Sequence, residues 1–132
     1  METPTENIGC TICWPNHAEA AWEARRTLKQ TIELIDESHF HVKITHCQSC
    51  PQHFLSVFTE FVDWADGEDP QYWSVVPLTE DEKNSLVAIA PSIKESDISN
   101  IVKSRRCLQR DYPKGAEPKA YWKDSFYIGG HD

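Results

Sequence analysis

Two short cysteine pairs, Cys10-Thr-Ile-Cys13 and Cys47-Gln-Ser-Cys50, constrain this chain more than any other feature. Two residues between cysteines let both sulfurs of a tight turn point at one centre. Two such turns supply four thiolates, the tetrahedral set that a structural zinc prefers. The reading is one zinc held by Cys10, Cys13, Cys47 and Cys50, with residues 14–46 looping between the two knuckles. A redox dithiol is the rival for a single pair. Two pairs favour metal, and a full set of thiolates leaves no coordination position for an activated water.

Length and charge narrow the classes further. With 132 residues the chain is expected to form one domain, with residues 1–9 flexible. It carries 21 acidic against 13 basic side chains, a formal net charge of -8. That balance argues against nucleic-acid binding, which needs a basic face to displace counterions from phosphate. No apolar run is long enough to span a bilayer. The polar, acidic start is unlike a signal peptide, so the cytoplasm is the expected compartment. In that reducing environment paired cysteines read as metal ligands rather than disulfides.

Periodicity along the chain predicts an α+β fold: a β-hairpin sheet with an N-terminal helix and smaller C-terminal helices. Asn16 with Glu19 resembles a capping box, and Ala21, Ala24, Leu28, Ile32 and Ile35 recur near helical spacing. The expectation is a helix from Asn16 to about Glu37. Residues 39–46 alternate, with Phe40, Val42 and Ile44 on one side, as a half-buried strand does. Residues 53–64 suit a strand or a helical face. Their Phe, Val and Thr content and their place after a tight turn favour a strand, making the second knuckle a hairpin tip. Residues 65–70 are a turn, and Tyr72–Leu78 a third strand. Thr79 with Glu82 opens a helix ending before Pro91, and another covers about 95–104. Two further strands are expected at Cys107–Tyr112 and Tyr121–Ile128.

With its two Cys-x-x-Cys knuckles, the chain resembles the zinc-ribbon proteins, in which such knuckles lie on β-hairpins. The resemblance covers Cys10–Cys13 and Cys47–Cys50 only, and implies a structural zinc. Trp14 and Pro51 stand where that family often has glycine. A second resemblance runs through His17-Ala18-Glu19 and Cys47-x-x-Cys50. It is similar to the zinc-dependent nucleoside and base deaminases, with their H-x-E and P-C-x-x-C motifs. It implies His17, Cys47 and Cys50 as ligands, Glu19 as proton shuttle, and a helix beginning at Cys47. Here His46, not proline, precedes Cys47, and Cys10 and Cys13 are left without a role.

The other candidates read as structural. His46 and His53 flank the second knuckle as surface residues or donors near sulfur. His39 and His41 face solvent with Lys43, and Cys107 is a buried small hydrophobe. The acidic stretch Asp63, Asp66, Glu68, Asp69 is a solvated turn or a docking site for a basic partner. Trp14, Trp64, Trp73 and Trp122 are core rather than interface. Together these features suggest a non-catalytic, zinc-stabilised module that binds another protein, of inhibitor, immunity or adaptor type.

Overall fold

The structure is a computed structural model, and it describes residues 8–61, 69–102, 105–112 and 117–126. A short helix α1 (Ala18–Ala24) leads through a 3-10 turn (Arg25–Thr27) into β1 (Lys29–Glu37). Then follow β2 (Phe40–His46), β3 (His53–Glu60) and β4 (Gln71–Leu78). Helices α2 (Glu80–Ala88) and α3 (Glu95–Val102) come before β5 (Cys107–Tyr112) and β6 (Lys119–Lys123). The six strands form one antiparallel meander in chain order, β1 to β6. The α+β class is as expected from the sequence.

Strand alternation divides the core into two faces. Phe40, Val42 and Ile44 of β2, Leu55 and Val57 of β3, and Val76 and Leu78 of β4 point to one face. There they meet Leu86 of α2 and Ile98 of α3. The intervening residues Phe54, Val75 and Leu108 point to the other, under Ala21 and Trp22 of α1 and the first knuckle. The central strands are thus covered on both sides, which explains the unbroken burial of Ser74–Leu78. Burying each large apolar side chain contributes about 1.5–3 kcal/mol before conformational entropy is subtracted.

The helix expected over 16–37 is the main correction. It ends at Ala24, and Lys29–Glu37 is an edge strand paired with β2. Its N-cap is His17, without a side-chain cap, rather than Asn16. Two register shifts, between Gln30 and Ile32 and between Glu33 and Ile35, interrupt the strand's alternation. Such bulges displace the apolar residues from a two-residue period, so Ile32, Leu34 and Ile35 mimic helical spacing. The β-branched Thr31, Ile32 and Ile35 and the open edge of β2 decide for strand. The hairpin of β2 and β3 is found as expected, paired from Phe40–Thr59 to His46–His53.

Helix α2 is set by local chemistry. The Glu82 amide donates to Thr79 Oγ1 at 3.1 Å, and the Thr79 amide donates to Glu82 Oε1 at 2.9 Å. This capping box satisfies two of the orphan donors at the helix start. Arg105 then clamps Glu82, Nη2 to Oε2 at 2.7 Å, and donates to the Pro77 carbonyl. Burial alone would raise the Glu82 carboxyl, but the Arg105 and Thr79 hydrogen bonds prevail and hold it below its usual range. Strand β6 covers Lys119–Lys123, earlier than the expected 121–128, of which residues 127–128 lie outside the described set. Expectations for residues 1–7, for 62–68 including Trp64 and Asp63, Asp66 and Glu68 of the acidic stretch, for 103–104 at the end of the expected helix, and for 113–116 also lie outside the described residues.

Candidate metal centre

The first knuckle precedes α1, and the second joins β2 to β3. The chain bends at Gly9, whose φ of +60° lies in the left-handed region that favours glycine. The Trp14 amide donates to the Cys10 carbonyl at 2.9 Å and closes the turn. The Cys10 amide points at Cys13 Sγ, 3.3 Å away. In the second knuckle the Cys47 amide donates to the Gln52 carbonyl at 3.0 Å, and the Ser49 amide to Cys47 Sγ at 3.2 Å. Amides aimed at sulfur favour the thiolate that a metal requires.

The four sulfurs meet. Cys10 Sγ lies 3.8 Å from both Cys13 Sγ and Cys47 Sγ, and Cys13 Sγ lies 3.8 Å from Cys50 Sγ. All four ligand atoms fall within 4.8 Å of one another. A tetrahedral metal–thiolate site with bonds of about 2.3 Å has sulfur–sulfur edges of about 3.8 Å. The separations therefore fit a four-cysteine metal site. All four cysteines are free, and their sulfurs are far beyond the roughly 2.05 Å of a disulfide. Cys13 and Cys47 are buried while Cys10 and Cys50 reach the surface. The Cys10 thiol is lowered to about 7, chiefly by its hydrogen bond with the Cys13 backbone. Burial pushes Cys13 and Cys50 up. A metal ion would have to displace the protons of these thiols, making its binding pH-dependent.

Two residues that pattern reasoning passed over hold this arrangement. Gln52 Oε1 accepts from the Gly9 amide at 3.1 Å, tying the first knuckle to the second. Its Nε2 donates to the carbonyls of His53 and Leu78, both at 2.9 Å. One amide side chain thus joins the N-terminal segment to β3 and β4. Gly9 is packed so closely that an added Cβ would lie 2.6 Å from Cys13 Sγ. A glycine directly before a Cys-x-x-Cys pair is a signal the sequence offers for this role. Nothing local marks Gln52.

Aromatic packing seats the knuckle on the sheet. Trp14 stacks on Phe54 at 5.2 Å between centroids and meets Trp122 edge-on at 5.1 Å. Trp122 Nε1 donates to the Asn16 carbonyl at 3.1 Å. Trp22 is buried against Trp73.

The residues of the deaminase pattern are not assembled for that chemistry. His53–Glu60 is a strand where a helix starting at Cys47 is required, and the exposed His17 is not in the sulfur cluster. Glu19 instead fastens α1 to the sheet: Arg110 Nη1 donates to its Oε1 at 2.8 Å and the Ala120 amide to its Oε2 at 3.0 Å. The Ala120 hydrogen bond first, and the Arg110 charge after it, hold its carboxyl below the usual range. His46 and His53 pair with Thr31 and Glu80 rather than approach the sulfurs. His39 and His41 sit beside Glu60 and Asp36. Cys107 is fully buried on the opposite face, its thiol pushed up to about 11 by that burial. Among the described residues, no helix is long and apolar enough to cross a membrane. Compared with protein-family models, with curated proteins and with solved structures, the chain finds no match.

Proposed function

We propose that the four thiolates hold one structural zinc in a zinc-ribbon-like site, and that the domain works by binding a basic protein partner rather than by catalysis. The observation that carries the metal assignment is the set of 3.8 Å sulfur separations, the edge of a zinc–thiolate tetrahedron. Four-sulfur tetrahedral sites take zinc or iron–sulfur chemistry. Zinc fits a closed, partly buried site whose role is to join two chain segments. A fourth thiolate in place of water removes the activated nucleophile on which hydrolytic zinc enzymes depend. The acid excess, with exposed Glu33, Asp36 and Glu37 along β1, supports a partner of opposite charge, since such a field steers association.

The test has two arms. Protein purified without added metal should carry one zinc per chain by native mass spectrometry. Iron, or metal-free protein with paired disulfides, would overturn the assignment. Partners captured by the zinc-loaded chain at low salt should be basic and released by added salt. Release of ammonia from nucleosides or bases, abolished in Glu19→Ala, would replace the binding role by an enzymatic one.

A further inference from the structure

The sheet face that carries α1 is only partly covered. Helix α1 lies against β5 and β6, and the chain then crosses towards β1. The remaining face opens into a groove of about 390 Å³. That volume lies within the roughly 300–1,000 Å³ typical of small-molecule sites.

Its floor follows from strand register. Phe58 of β3 and Trp73 of β4 are directly paired, with ring centroids 4.8 Å apart. Lys43 of β2 rises from the neighbouring row, and Thr45 sits further along the same strand. Arg25 forms the wall, its guanidinium stacked 3.6 Å over the Trp22 ring, which itself meets Trp73 edge-on. Glu33 stands on the β1 rim, opposite Lys43 in register.

Two features of this lining call for a ligand. Thr45 is only 5% exposed, and its hydroxyl has no hydrogen-bond partner. The Arg25 Nε is likewise buried and unpartnered. Buried polar atoms of this kind are costly unless something pairs with them. Among the described residues, neither Arg25 nor Lys43 has a carboxylate within ion-pair distance. Stacking on Trp22 also fixes the guanidinium plane and leaves its N–H edge free to donate.

We propose that this groove binds a small aromatic carboxylate. The flat ring lies on Phe58 and Trp73, the carboxylate accepts hydrogen bonds from Arg25 and Lys43, and the Thr45 hydroxyl bonds to the ligand at the groove floor. A neutral aromatic would leave the two cations without an anionic partner. Neither the metal nor a protein partner contributes to this groove.

The isotope-labelled, metal-loaded chain is titrated with 2-naphthoate and, separately, with the neutral 2-naphthalenemethanol, followed by amide NMR. Naphthoate should give saturable shifts centred on residues 43, 45, 58 and 73. The alcohol should bind at least about tenfold more weakly, as expected for loss of a charge-assisted hydrogen bond. Lys43→Gln and Arg25→Gln should each weaken naphthoate about tenfold, with metal content unchanged. Arg25 packs on Trp22, so the exposed Lys43→Gln carries the test if the other variant misfolds. Non-saturating or scattered shifts, equal binding of the alcohol, or full affinity in Lys43→Gln would overturn the proposal.

Discussion

Replacing Gly9 by alanine should weaken the metal site without touching a ligand. Two costs are readable in the structure. The φ of +60° is one that a residue with a Cβ adopts at about 1–2 kcal/mol. The added Cβ would also stand 2.6 Å from Cys13 Sγ and 3.3 Å from Trp14 Cβ. Restoring an ordinary 3.4 Å contact moves the sulfur by about 0.8 Å. Metal–ligand distances tolerate only about 0.2 Å, so the displacement is several times what the site accepts. The loss in metal affinity should match that of disturbing the groups that orient a ligand, about 10–100-fold. Competition with a chromophoric chelator at fixed pH measures it. Gly9→Asn separates the two causes, because asparagine tolerates positive φ yet still carries a Cβ. If the contact with sulfur dominates, both variants lose affinity alike. Backbone strain alone would leave the asparagine variant close to the native protein. Wild-type affinity in both variants would refute the account of Gly9.

Further outcomes are expected. Chelation, or Cys47→Ser, should loosen the domain and lower its melting temperature markedly, because metal-binding free energy at such sites is folding free energy, on the order of 10 kcal/mol; an unchanged melting curve after verified metal removal would rule out a structural role. Glu82→Gln should destabilise by roughly 1 kcal/mol at pH 7, a value discounted for the partial exposure of the Arg105 pair. The Glu82 carboxyl is lowered in the fold, so its contribution is complete above the ordinary carboxylate range and fades as pH falls through the folded value. The gap between variant and wild type in urea midpoints should therefore narrow on acidification, and a constant gap would argue against the ion pair. Cys107, buried and pushed up to about 11, should resist alkylation at pH 8 until the chain unfolds; rapid native-state labelling at that site would contradict its burial.

The amino-acid sequence by itself determined the features whose physics is local. Cysteine spacing places two sulfurs on each tight turn, whatever surrounds them. Alternation at Phe40, Val42 and Ile44 marks β2, and the β-rich composition of 53–64 points to its hairpin partner, which the structure places at His53–Glu60. Thr79 and Glu82 write a helix start into four residues. Only tertiary structure decided the rest. Residues 29–37 have apolar spacing that suits a helix, and pairing with the open edge of β2 makes them a bulged strand. Gln52 acquires its role only because Gly9 and Leu78, distant in the chain, arrive beside it. Glu19, legible as a catalytic candidate, becomes a fastener because β5 and β6 bring Arg110 and the Ala120 amide to it. The groove exists because α1 is too short to cover the sheet it packs on, and strand register alone sets Phe58 against Trp73 there. Short-range patterns encode turns, caps and alternation. Which separated segments then meet is decided by the packing of the whole core.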